Sequence, residues 1–417
     1  MFITAAAAFV WANLNPTNYI GGVSFHPERD IQDLSGRVVL VTGGNTGLGK
    51  ETIRQILKHN PEQVFLAARS EEKAENAIRE LESTAPNIKI TWLPLDLAST
   101  KSIHDAAETF RAHASRLDVL VLNAGVMSLP PGETDLGHEI QLGTNHTGHF
   151  LLTRLLLPVL LETAQEPDSD VRVISLSSIG HNLAPGFEAV LDQNELKKCN
   201  TNARYGASKA ANILFAAELA RRYPSLTAVS VHPGIIVTDL YAAASASSPI
   251  VAWAIRLLGM VGSKVEQGAW NQLWAAVGAK KGELVNGAYY VPVGIVKPRN
   301  RYTTNREMGR RLWEWTEMEL KRDHREGFIE RMLQPHPHHQ RRRSSAGEGE
   351  IEKPEFAIGL ERQSSNEENE QGQNQTESVG QNTLRRQRRN SRLQRLKEFM
   401  HSEEELDEAG KTYAKLM

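Results

Sequence analysis

The stretch RYGASKAAN places Tyr205 four residues before Lys209, with only small residues between them. On a helix that spacing puts both side chains on one face, one turn apart. A phenol with a pKa of about 10 gives up its proton reluctantly at neutral pH, and a nearby ammonium lowers that value by stabilising the phenolate. The pair therefore suits acid–base work at an oxygen, such as the proton transfer that accompanies hydride exchange at a carbonyl carbon. Taken alone, the spacing is also met by accident on any helix, so the rest of the chain has to supply the setting.

A second stretch with chemistry in it is TGGNTGLGK, Thr42 to Lys50. It lies between an apolar run, VVLVTG (38–43), and a helical pattern over 50–58. Glycines in that place permit a tight turn, let backbone N–H groups approach a pyrophosphate, and bring helix close to strand. The strand before and the helix after give this motif a context that a lone glycine cluster lacks. In a fold of this kind, the end of the second strand meets the adenosine ribose: an acidic residue there bonds the 2′-hydroxyl, while an arginine accommodates a 2′-phosphate. Here Ala68 occupies the acidic position and Arg69 follows it. A guanidinium matches a phosphate well, so the expected cofactor is NADP(H).

The elements that must position these residues alternate along the chain. Strands are expected at 38–43, 63–69, 88–96, 117–125, 171–178 and 227–234, with a final one at 287–294. Helices are expected at 50–58, 70–84, 101–114, 146–162 and 208–223. Strands alternating with helices imply an α/β fold, a doubly wound parallel sheet in one Rossmann-like domain. The expected organisation is an N-terminal extension (1–32), this domain (33–333), and a charged, low-complexity tail (334–417) that reads as disordered, with a terminal helix carrying Leu393, Leu396 and Met400 on one side.

The motifs together resemble the short-chain dehydrogenase/reductase family. The turn reads T-G-x-x-x-G-x-G, with Gly43, Gly47 and Gly49. LDLAS (95–99) resembles the segment whose aspartate contacts the adenine, here Asp96 with Leu97 beside it. LNAG (122–125) is similar to the family's N-N-A-G, with leucine in first place and Asn123, Ala124 and Gly125 kept. LGTNHTGHFLLT carries Asn145, VISLSSIGH carries the serine, and HPGIIVT carries Pro233, Gly234 and Thr238. The likeness covers roughly residues 33–320, and EQGAWNQLWAA and RRLWEWTEMEL resemble the retinol-dehydrogenase-like and WW-domain-oxidoreductase-like branch. The resemblance implies a catalytic set of Asn145, Ser178, Tyr205 and Lys209. Ser178 is chosen over Ser177 because the family's serine is the second of the pair. Ser178 would hold and polarise the substrate oxygen, Lys209 would also bond the nicotinamide ribose, and Asn145 would position Lys209 through a water. Gly43, Asn45, Thr46, Gly47, Leu48, Gly49, Arg69, Asp96, Leu97, Asn123, Ala124, Gly125, Tyr205, Lys209, Pro233, Gly234 and Thr238 would line the cofactor. The implied reaction is hydride transfer between NADP(H) and a carbonyl or alcohol, without a metal. The alternative is a catalytically dormant dinucleotide-binding regulator or scaffold that works through its tail; an intact acid–base set argues against it.

The remaining features narrow the setting. A formal net charge of −2 gives no reason to expect nucleic acid. The single cysteine, Cys199, rules out a disulfide framework within one chain and fits a reducing, cytoplasmic compartment. The apolar N-terminus, MFITAAAAFVWANLNP, is too short to span a bilayer and lacks a basic flank; it reads as a docked segment, with weak membrane-surface attachment as the alternative. The resemblance implies that the region 239–263 folds over the substrate; its PIVAWAIRLLGMV is apolar enough for a helix that caps a greasy pocket, so a lipophilic substrate is expected. The imidazoles of PHPHHQ (335–340) and the sequons at Asn145 and Asn374 are given no role. Nothing in the sequence indicates the oligomeric state.

Overall fold

The computed structural model describes residues 22–234, 265–297 and 301–322. The apolar runs form an eight-stranded sheet in the order β3-β2-β1-β4-β5-β6-β7-β8. The strands are β1 (Val38–Thr42), β2 (Gln63–Ala68), β3 (Lys89–Pro94), β4 (Val119–Leu122), β5 (Arg172–Leu176), β6 (Thr227–Val231), β7 (Tyr289–Val291) and β8 (Ile295–Val296). All neighbours are parallel except β7 and β8. β1, β2, β4 and β5 are buried along their whole length, as continuous apolar strands require when helices cover both faces.

The main helices are α1 (Gly47–Leu57), α2 (Glu71–Glu82), α3 (Thr100–His113), α4 (Gly148–Thr163), α5 (Thr201–Arg222) and α6 (Arg306–Arg322). Short polar side chains start three of them. Ser70, Ser99 and Asn200 accept from the amides of Lys73, Ser102 and Ala203, which satisfies donors a helix end leaves orphaned. One apolar core, around Phe65, Phe110, Leu120 and Phe150, joins the sheet to α3, α4 and α5. The other, around Val39, Ile53, Leu66 and Leu81, joins it to α1 and α2. α6 closes the first core. Its Trp313 lies 6.0 Å from the Phe215 ring, nearly parallel, and meets Phe150 edge-on at 4.6 Å, while Glu317 pairs with Arg154 at 2.8 Å.

Three details differ from the sequence reading. The helix expected from Ser208 begins at Thr201, because Asn200 caps it there. The last expected strand is a short β7 that turns back into β8. Packing also reaches into the expected extension: Phe25 and Ile31 are buried in the second core, and the Val23 amide bonds the Val293 carbonyl. The apolar N-terminal run, Thr238, the region 239–263 and the tail with its terminal helix lie outside the described residues. Among the described residues no helix is long and apolar enough to cross a membrane.

Candidate active site

The glycine turn is shaped by both dihedral and space. Gly43 and Gly47 have φ of +65° and +52°, a conformation that other residues adopt only at a cost. Gly49 is required by contact instead. A Cβ there would stand 2.2 Å from the Gly43 carbonyl oxygen and 2.5 Å from Asn123 Nδ2. Thr46 precedes α1 in extended backbone, yet its side chain caps no amide. The Thr46 side chain thus leaves the first-turn amides of α1 uncapped, and uncapped amides at a helix N-terminus are suited to binding an anion such as phosphate. Asn45, Thr46, Gly47 and Leu48 are half-buried around that opening.

The wall beside the turn is held by β1. Asn123 Nδ2 donates to the Thr42 carbonyl at 2.8 Å, and the Ala124 amide donates to Thr42 Oγ1 at 2.9 Å. Gly125 leads toward the polar centre: a Cβ on it would meet Asn145 Oδ1 at 3.2 Å and Lys209 Nζ at 3.4 Å. At the end of β2, the Arg69 side chain is 78% exposed and lies 3.9 Å from an Asp96 oxygen. Asp96 accepts from the Ala98 amide, which fixes its carboxylate at the end of β3. Leu97, expected to line the cofactor, is buried with its side chain packed in the first core. Pro233 and Gly234, the latter with φ of +95°, follow β6 and are half-buried.

α5 carries Tyr205 and Lys209 on one face, with Nζ 5.7 Å from the Tyr205 ring centre. Lys209 Nζ donates to the Leu176 carbonyl at the end of β5. Burial alone brings its pKa from the ordinary 10.5 to about 8. The two serines after β5 divide. Ser177 is buried and donates to the Lys209 carbonyl, whereas Ser178 is half-buried and accepts the Gly180 amide. Ser178 and Tyr205 flank Gly180, whose Cβ would come within 2.9 Å of the Tyr205 ring and 3.4 Å of Ser178 Oγ. Asn145 lies in a π turn, Gly143–Thr147, that leads into α4. Its side chain bonds both backbone groups of Val126, at 2.7 and 2.9 Å, and Ser208 Oγ at 2.9 Å. It therefore clamps the segment after β4 onto α5.

Sequence reasoning passed over the residues that allow this approach. Gly206, directly after Tyr205, lets α5 press onto the turn after β5; a Cβ there would stand 2.6 Å from the Ala184 amide nitrogen. Gly148 does the same for α4 against the Leu97 carbonyl, at 2.3 Å. Buried Arg204, next to Tyr205 in α5, forms an ion pair with buried Glu139 at 3.0 Å. The local signal for the two glycines was a small residue in a helix with no turn to explain it.

Comparison with known proteins now decides the family. A short chain dehydrogenase model matches residues 37–189. A short-chain dehydrogenase/reductase of Armillaria gallica is 40% identical over 297 residues, which is 70% of this chain and 93% of that one. This chain belongs to the short-chain dehydrogenase/reductase family. Human retinol dehydrogenase 11 is 38% identical over 67% of the chain and 85% of its own length, which sets this dehydrogenase in the retinol-dehydrogenase-like branch. A solved structure from Mycobacterium paratuberculosis shares the fold, with 29% identity, a TM-score of 0.54, and coverage of 70% and 97% of the two chains. The family makes the chain an oxidoreductase that works with a nicotinamide dinucleotide.

Proposed function

We propose that this dehydrogenase transfers hydride between NADP(H) and the carbonyl or alcohol group of a lipophilic small molecule, with Tyr205 as the acid–base. The observation that carries the reading is the meeting of Tyr205, Lys209 and Ser178 at the C-terminal end of the sheet, beside the glycine turn. Ligands of open α/β sheets sit at those strand ends. When bound, the nicotinamide supplies or accepts the hydride. The chain does the rest. Ser178 Oγ holds the substrate oxygen. The Tyr205 phenol gives its proton to that oxygen in reduction and takes it back in oxidation. The Lys209 ammonium, one turn away, favours the phenolate. With a pKa of about 8, Lys209 is mostly charged at neutral pH, as that task needs. Asn145 keeps the wall after β4 and α5 in register.

The NADP preference is supported by an exposed Arg69 with Ala68 in the acidic position. The lipophilic substrate is supported by the apolar composition of 239–263 and by similarity to retinol dehydrogenases 11 and 12. A reducing cytoplasmic setting, with weak surface attachment to a membrane through the apolar N-terminus, fits the same reading.

The test is turnover of a panel of aldehydes and ketones with NADPH, comparing the full chain with Tyr205→Phe. The substitution should cut turnover by about 10²–10⁴-fold, the usual worth of a positioned acid, and leave NADPH affinity within about twofold. Arg69→Glu should weaken NADPH by about tenfold or more and spare NADH, since charge-assisted bonds are lost. If both wild type and Tyr205→Phe bind NADPH but neither turns over any substrate, the chain is a dinucleotide-binding regulator instead.

A further inference from the structure

His149 lies in the stretch that carries Asn145 but has been given no role so far, and it sits where the cofactor-lining segments meet. It lies in the first turn of α4 and is 2% exposed. Its Nδ1 is 2.9 Å from the Asn145 carbonyl oxygen, and its Nε2 is 2.9 Å from Thr42 Oγ1. A carbonyl oxygen only accepts, so Nδ1 must carry the proton. Nε2 is then a lone pair, and the Thr42 hydroxyl must donate to it. That choice leaves the Thr42 oxygen free to accept the Ala124 amide at 2.9 Å. The other acceptor within reach of the hydroxyl, the Val121 carbonyl, is longer at 3.4 Å. Each bond thus sets the direction of the next.

We propose that His149 is a positioning residue for the dinucleotide cradle, and that one neutral tautomer of its ring couples the ends of β1 and β4 to the π turn bearing Asn145. The consequence follows from the neighbours. Thr42 opens the glycine turn, Ala124 lies in the wall beside it, and Asn145 clamps Val126 and Ser208. Three segments from distant parts of the chain take their relative positions from a single imidazole. Burial holds the ring pKa down at about 4, so the neutral form persists throughout the physiological range.

The proposal rests on the dinucleotide reading, and NADPH binding to the full-length wild type tests that reading first. Against it stand His149→Phe, which keeps bulk and loses both ring nitrogens, Thr42→Val, the double variant, and His149→Gln, which restores a donor and an acceptor. Each of the first two should raise the NADPH dissociation constant about tenfold, and the double variant should do little more, because all act through one bond chain. His149→Gln should recover most of the affinity. If wild type binds NADPH but His149→Phe binds equally well, or its effect simply multiplies with that of Thr42→Val, the proposal is wrong and the dinucleotide reading stands. If His149→Phe does not fold, His149→Gln decides alone: full loss of NADPH affinity in a folded His149→Gln protein overturns it. A wild type that binds no dinucleotide sinks both.

Discussion

Lys209 should cost this protein stability in return for chemistry, and Lys209→Met should show it. Burial lowers its pKa from 10.5 to about 8. The gap of about 2.5 pH units, at about 1.36 kcal/mol each, puts the cost of keeping the buried ammonium charged on the order of 3 kcal/mol. Methionine fills a similar volume without that charge. It gives up the bond from Nζ to the Leu176 carbonyl, worth about 1 kcal/mol, but Asn212 Nδ2 still reaches the same carbonyl at 2.9 Å, so no acceptor is orphaned. The net expectation is a variant about 2 kcal/mol more stable than wild type at pH 7 and without turnover. The sign with pH is fixed by proton binding. Between pH 8 and 10.5 the unfolded chain holds a proton that the folded chain has released, so wild-type stability rises with pH across that window. The penalty is complete below the folded value of about 8 and gone above the unfolded one of 10.5. Urea unfolding of both cofactor-free proteins from pH 7 to 10 measures the difference directly. A Lys209→Met protein no more stable than wild type at pH 7, or a gap that stays constant across the window, would refute the reasoning.

Gly49→Ala should abolish NADPH binding detected by fluorescence while leaving the far-ultraviolet dichroism native, because the added Cβ strikes the backbone of Gly43 rather than a movable side chain. Trp313→Ala should destabilise the domain by about 3–5 kcal/mol in chemical unfolding, the usual cost of removing a large buried ring, since Trp313 joins α6 to Phe150 and Phe215. Truncation after Leu333 should leave turnover unchanged, whereas truncation after Asn305 removes α6 and should yield insoluble protein.

The sheet and its helices were legible because burial on both faces writes itself as uninterrupted apolar runs, and VVLVT, QVFLAA and VLVL are such runs. The glycine turn was legible because its φ values and close contacts admit little else. The start of α5 was misplaced by seven residues, from Ser208 to Thr201: the signal was a single Asn200 cap, and the polar TNAR that follows reads as loop unless that cap is noticed. β8 was lost for another reason, because two residues of antiparallel pairing carry no periodicity.

What single-residue reading could not reach is shared contact. Gly148, Gly180 and Gly206 look interchangeable with alanine in sequence, yet each marks a place where one element touches the backbone or ring of another. Their spacing along the chain says nothing of this, since the partners are Leu97, Tyr205 and Ala184. The same holds for Thr42 and His149, which are 107 residues apart and become neighbours only when β1 and α4 meet. The residues that fix these distances sit inside the same motif stretches as the candidate site groups, but only the folded contacts show what they do. Gly206 within α5 and Gly180 in the turn after β5 together let the helix lie close on that turn, so a larger residue at either would push Tyr205 away from Ser178.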